Sequence, residues 1–218
     1  MPTLRAIKGH INSIRGIAKV TRAMEMIATA KNRRLQARVN STRAFAEKSW
    51  AVLNHLASAT TATARENPLF CGYSHVSRIG MLLITSDRGM VGPYNHNIIA
   101  LASEYVTTHN VTAELVTIGK VGRKAMLRQG HSIHAEFSGL DDKTDITDIA
   151  PVVRVLLDGF RERLFDEVFI AYTELQARFG LKPRVRQILP VCPEPTTHLR
   201  QYIYEPDPDE LLMALLPR

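Results

Sequence analysis

Apolar positions recur early in this chain at Leu4, Ile7, Ile11, Ile14, Ala18 and Thr21, at alternating steps of three and four. That spacing holds a stripe on one side of an α-helix and is the seam of a coiled coil. Thr21 to Met24 adds a second three-residue step before Ala28, a stammer that locally overwinds such a pair. Beyond it the stripe weakens through Leu35, Val39, Thr42, Ala46 and Leu53, with Lys31 breaking the series. No proline lies between Pro2 and Pro68, no glycine lies between Gly16 and Gly72, and good helix formers dominate. The pattern predicts one helix from Thr3 to about Ala57, roughly 80 Å long at about 1.5 Å per residue. An ordinary amphipathic helix packed on a core is the plainer alternative. Its length argues against that, because it outruns a compact domain of this size and has to project.

After Leu56 the pattern changes. Ala57 to Ala64 is rich in Ala and Thr, and Arg65-Glu66-Asn67-Pro68 follows, so residues 58–75 read as helix decay and linker. Ile79 to Thr85 is a near-continuous apolar run, as in a strand covered on both faces. A turn-rich loop, Ser86 to Pro93, leads to a helix from about Tyr94 to Thr107. Leu115 to Ile118 predicts a second strand, Lys120 to Arg128 a short helix closed by Gly130, and Ile133 to Phe137 a third strand. Asp145 to Phe165 predicts a long amphipathic helix, with Ile146, Ile149, Val152, Val153, Leu156, Leu157, Phe160 and Leu164 on one side. Val168 to Tyr172 is a fourth strand, and the alternation from Arg184 to Val191 an edge strand that Pro190 ends. The fold class is therefore α/β: a long N-terminal coiled-coil helix plus a small Rossmann-like domain with a largely parallel sheet. The expected domains are an arm over 1–57, a linker over 58–75, an α/β domain over 76–205, and the start of a further helix over 206–218. That last helix has Asp207 as N-cap, Pro208 in its first turn and acids beside its dipole.

Charge is distributed unevenly. Residues 1–48 carry eleven Lys and Arg against only Glu25 and Glu47, a net of +9. The whole chain is +7, so the remainder is about −2 and the basic excess sits on the long helix. A helix so one-sided in sign calls for an acidic protein partner, a nucleic acid or an anionic surface. Nucleic-acid arms interleave aromatics for stacking, and only Phe45 and Trp50 lie in the first fifty residues. Cys71 and Cys192 form no CxxC or metal spacing, which suits a reducing compartment. No apolar run reaches the length of a membrane span. The N-terminus is Arg-rich and amphipathic like a mitochondrial presequence. However, the seam begins at Leu4 without a cleavage-like break, so it reads as mature protein.

Ser86 to Gly92 follows a strand and precedes a helix, where phosphate loops sit, but it matches neither GxGxxG nor GxxxxGK[ST]. Gly89 and Gly92 are more simply turn residues. Ile118 to Lys124 brings two glycines and three cations to a helix start that could cradle an anion, but a plain strand–turn–helix explains it better. The eight histidines show no metal spacing, and no nucleophile elbow occurs. No constellation supports catalysis by this chain alone, so neither a catalytic, cofactor-binding nor metal site is expected.

Three stretches resemble one known family. Thr21-Arg22-Ala23-Met24-Glu25-Met26-Ile27-Ala28, with Ala30-Lys31, is similar to the "TKAMKMVAAAK"-like first helix of the gamma subunits of F-type ATP synthase. Thr85 to Asn95 resembles their "TSDRGLCGGFN" segment, departing at Val91, where Cys is frequent, and at Pro93, where Gly is frequent. Tyr202 to Pro208 resembles their "YLYEPDP" segment. The resemblance implies a central-stalk rotor that couples transmembrane proton (ion) flow to ATP synthesis by turning inside a catalytic head, itself hydrolysing nothing. It implies alpha, beta and epsilon subunits and a membrane c-ring as partners. It further implies that Lys19, Arg22, Met24, Ala28, Lys31 and Arg34 face acidic loops of the catalytic subunits. Tyr202, Tyr204 and Glu205 would lie near the foot. No chloroplast-type cysteine insertion is visible, so the expected location is peripheral, on the cytoplasmic face of a bacterial cell membrane. The other functional reading is a basic coiled-coil arm on an α/β module, binding nucleic acid or an anionic surface.

Chains of that family continue into a second long helix antiparallel to the first, whereas this sequence ends at Leu215-Leu216-Pro217-Arg218. The expectation is thus of a gamma subunit without its C-terminal helix. Ile7, Ile11, Ile14 and Met24 would lack their partner. A lone helix in water is marginal, so the arm is expected to fray, swap between chains or aggregate.

Overall fold

Helix α1 runs without interruption from Leu4 to Ala59, 56 residues. In the computed structural model the described residues are 3–59, 67–109, 111–141, 144–176, 180–191, 205, 207 and 210–211. The chain divides into two compact units, 1–51 and 52–218.

In the first unit Thr3 opens the helix, its carbonyl accepting from the amides of Ala6 at 2.9 Å and Ile7 at 3.1 Å. Ile7, Ile11, Ile14 and Met24 are 43–66% exposed. The seam is thus uncovered, yet the helix is continuous, which corrects the expectation of a frayed arm. Propagation explains it: once nucleated, each added residue contributes one hydrogen bond, and a run without Pro or Gly after Gly16 offers no break point.

In the second unit a one-turn helix, α2 (Pro68–Cys71), is capped by Asn67, whose side chain accepts from the Leu69 amide at 3.0 Å. Then come β1 (Arg78–Ile84), α3 (Tyr94–His109), β2 (Thr112–Ile118), α4 (Lys120–Arg128), β3 (Ser132–Phe137), α5 (Ile146–Arg161), β4 (Glu167–Gln176) and β5 (Gly180–Leu189). The sheet order is β3-β2-β1-β4-β5. β1 to β4 are parallel, and only β5 runs antiparallel, to β4. The predicted fold class, with its largely parallel sheet, is what forms.

β1 is central and buried on both faces, which is why it reads as an unbroken apolar run. Ile79, Met81 and Leu83 pack with Ile98, Ala102 and Val106 of α3 and with Leu115 and Met126. By strand alternation Gly80 faces the other way, towards Phe165. A Cβ on Gly80 would meet the Phe165 ring at 2.7 Å, and one on Gly159 of α5 would meet it at 2.3 Å. Phe165 is therefore wedged into a niche that exists because two elements lack side chains there.

That wedge ends α5 earlier than the sequence predicts. The helix stops at Arg161, not Phe165. Arg163 takes a left-handed conformation (φ 59°), and the amides of Leu164 and Phe165 turn back to the Gly159 carbonyl at 2.8 and 3.2 Å. The guanidinium of Arg163 lies 4.5 Å from the Tyr73 ring centroid, and its carbonyl accepts from Arg78 Nη2 at 2.8 Å. The predicted apolar side of α5 is also only partly inward. Val152, Leu156, Gly159 and Phe160 are buried, whereas Ile146, Ile149 and Val153 are exposed.

Asp166 then clasps the start of β1. Its Oδ2 accepts from the Ser77 amide (2.8 Å), the Ser77 hydroxyl (3.0 Å) and the Arg78 amide (2.9 Å). Burial pushes the carboxyl pKa up, but the bonds from Ser77 and Arg78 and the Arg78 charge outweigh it and hold the pKa below the usual value.

Two predictions follow from these contacts. Gly159→Ala should cost about 1–3 kcal/mol by overpacking, read from the urea midpoint. The depressed Asp166 pKa means its contribution is fully present above the unfolded carboxylate pKa and is lost as pH falls through the folded value. Asp166→Asn should therefore be less stable than the parent at neutral pH, and the gap should narrow in acid.

Candidate functional site

The loop after β1 reaches across to the start of α4. α4 begins at Gly119, whose φ of 96° suits glycine and whose Cβ would stand 2.3 Å from the Thr85 carbonyl oxygen. The first amides of a helix need acceptors. Here the Lys120 amide donates to Asp87 Oδ1 at 3.1 Å, the Val121 amide to the Ser86 carbonyl at 3.2 Å, and the Gly122 amide to Thr85 Oγ1 at 3.0 Å. Asp87 Oδ2 also accepts from the Gly139 amide, beyond β3, at 2.9 Å. On the other side Asn95 of α3 accepts from the Ser86 amide at 3.0 Å and donates to Ser86 Oγ at 2.7 Å.

Thr85, Ser86 and Asp87 thus tie the C-terminal ends of β1, β2 and β3 to the starts of α3 and α4. The chain supplies its own carboxylate to the first amide of α4. The loop is a structural joint, and Gly119 and Gly122 are required by the close approach of Thr85. Gly92 is left-handed (φ 60°), as its turn role predicts, and so is Met90 (φ 63°), whose side chain is fully exposed. Among the described residues no group of His, Cys, Asp and Glu could hold a metal ion, and no helix is long and apolar enough to cross a membrane.

The other candidate surface is α1. Lys19, Arg22, Met24, Ala28, Lys31 and Arg34 are all on it and all exposed. They do not share one face. Met24, Ala28 and Lys31, at steps of four and three, line one side. Lys19 and Arg22 belong to another side, with Arg5, Lys8 and Arg15 at helical steps of three, seven, four and three. Glu205 is exposed, and Tyr202 and Tyr204 lie outside the described residues. Near the end of the chain the Leu211 amide donates to the Asp207 carbonyl at 3.0 Å, a helical bond at the predicted start.

Known proteins resemble the chain over its length. A family profile described as ATP synthase matches residues 3–218. The ATP synthase gamma chain of Roseiflexus castenholzii is 33% identical over 223 residues, covering 100% of this chain and 77% of that one. The gamma chain of Dehalococcoides mccartyi (strain BAV1) is 38% identical over 220 residues, with the same coverage. The chain belongs to the ATP synthase gamma family.

Solved structures agree on the fold. A chain in the central stalk/c-ring of the Tetrahymena thermophila mitochondrial ATP synthase superposes with a TM-score of 0.62 at 15% identity, covering 91% of this chain and 86% of that one. A chain in the rotor of the Euglena gracilis mitochondrial enzyme gives 0.54 at 15% identity, covering 84% and 62%. Within this gamma-family fold, sequence reasoning missed the acceptor role of Asp87. The signal was present: an Asp three residues past a strand, ahead of a glycine-started helix with no N-cap side chain of its own.

Asp87→Ala should lower stability by about 0.5–1.5 kcal/mol, since the exposed Lys120 and Gly139 amides exchange their protein acceptor for water. A calorimetric titration of the full chain with ATP should show no saturable binding dependent on Asp87 or Gly119.

Proposed function

We propose that this chain is the central-stalk rotor of an ATP synthase, turning within a catalytic head to couple transmembrane ion flow to ATP synthesis. The observation that carries the reading is similarity to ATP synthase gamma chains across the whole of this chain. Residues 1–57 act as the arm and the α/β domain over 76–205 as the foot. The chain carries out no bond chemistry. Its partners are the alpha and beta subunits, epsilon and the membrane c-ring, and it sits peripherally on the cytoplasmic face of a bacterial membrane.

Physically, an asymmetric shaft acts by differential contact. Each orientation favours one conformation of the surrounding subunits over the others, and rotation moves that preference from one subunit to the next. Lys19 and Arg22 on one side of α1, and Lys31 and Arg34 on others, meet acidic loops of those subunits, while Met24 and Ala28, on the side of Lys31, supply apolar contact. The exposed cations of α1 support this assignment, because a helix at +9 needs negative charge nearby. Tyr202, Tyr204 and Glu205 serve at the foot.

The test is assembly with purified alpha and beta subunits, followed by rotation and ATPase measurements. Lys19→Glu with Arg22→Glu should weaken association by about tenfold at low salt, with a smaller effect at high salt. An unchanged affinity would remove these residues from the interface. Salt-steep DNA binding by the parent, without assembly, would favour the basic-arm reading.

A further inference from the structure

The chain leaves α1 at Ala59 and enters β1 at Arg78, so any pull on the arm that travels along the backbone arrives at the centre of the sheet from its N-terminal side. β1 pairs with both β2 and β4, and a pull on its first residue would open the sheet in the middle. Between Asn67 and Arg78 only α2 is regular structure, yet the segment is fastened along its length. The Leu69 side chain is buried, and its carbonyl accepts from the Val191 amide at 2.7 Å. A Cβ on Gly72 would stand 3.0 Å from Pro190 Cγ, so the backbone there lies against Pro190. Tyr73 reaches furthest. Its hydroxyl donates to the Phe160 carbonyl at 2.9 Å, 87 positions away, and its ring centroid lies 5.1 Å from that of Phe160.

The Arg163 guanidinium lies over the same Tyr73 ring, 4.5 Å from its centroid. Arg163 is left-handed, a conformation in which glycine is the least strained residue. An arginine there gives up backbone ease and gains the contact with Tyr73. All these contacts lie inside the second unit.

We propose that Tyr73, gripped by Phe160 and Arg163, is a mechanical anchor: load arriving along the chain from α1 is taken up at Tyr73 and passed to the end of α5 before it reaches β1. The source of the load rests on the rotor reading; the grip itself does not.

The experiment holds the full chain in optical tweezers at constant force, through azide-bearing residues that replace Ala51 and Lys124, both exposed. Release of residues 67–77 should appear as a step of about 30 Å. Tyr73→Phe keeps the ring and loses the bond to the Phe160 carbonyl, and should shorten the lifetime of that step about three- to tenfold. Arg163→Gly should shorten it about two- to fivefold. The same variant should leave the urea midpoint nearly unchanged, because an unstrained backbone offsets the lost contact. A side chain serving folding stability alone would move both readouts together. Asp87→Ala, which loosens the opposite end of the sheet, should leave the lifetime as it is.

Lifetimes unaffected by Tyr73→Phe and Arg163→Gly would overturn the proposal. So would an equal shortening by Asp87→Ala, since the step would then report general stability. In complexes with alpha and beta subunits, Tyr73→Phe should lower the torque sustained against a viscous load and leave the unloaded ATPase rate unchanged. Undiminished torque in assembled complexes would overturn the anchor. Failure of the parent chain to assemble would overturn the rotor reading instead, while shortened lifetimes in the tweezers would still support the grip at Tyr73.

Discussion

Every amide at a helix start needs an acceptor, and at the start of α4 the chain provides them from within. Thr85, Ser86 and Asp87 accept from three successive amides, and Asp87 reaches past β3 as well. Because these residues leave β1 at the centre of the sheet, one short segment aligns three strand ends and two helices. The same arrangement engages the first three amides of α4. The fold by itself does not name a function, and at the start of α4 the loop serves internal alignment.

Two surfaces stand out for opposite reasons. Helix α1 is basic, exposed and uncovered along its apolar seam. Helix α5 is nearly balanced in charge, anchored on one side and apolar on the next. In a solitary globular protein such faces would be a liability. In a member of the ATP synthase gamma family they are the expected features of a part that works among other parts. The α/β unit, stitched at one end by Asp87 and clasped at the other by Asp166, supplies rigid ground for α5.

Much of this was legible in the chain. The uninterrupted apolar run of β1, the punctuation at Gly119 and Gly130, and the break-free stretch from Leu4 gave the strands and helices within a few residues, because each reflects local chemistry. The long-range parts were not legible. The helix pattern of α5 continues to Leu164, but Phe165 has a niche waiting across 85 positions of sequence at Gly80, and filling it ends the helix at Arg161. Likewise an apolar arc states that something covers it, not which half meets the sheet. Asp87 could be seen in the loop, but its two partners lie 33 and 52 residues downstream.

The niche around Phe165 also shapes how this family can diverge. Two glycines and one ring share a single volume, so none of the three positions is free to drift alone. A methyl gained at Gly80 or Gly159 is tolerable only alongside a smaller residue at 165, and a smaller residue there leaves a void unless a glycine grows. Relatives should therefore change at these positions in compensating pairs, and an isolated replacement at any of them should be selected against however conservative it looks.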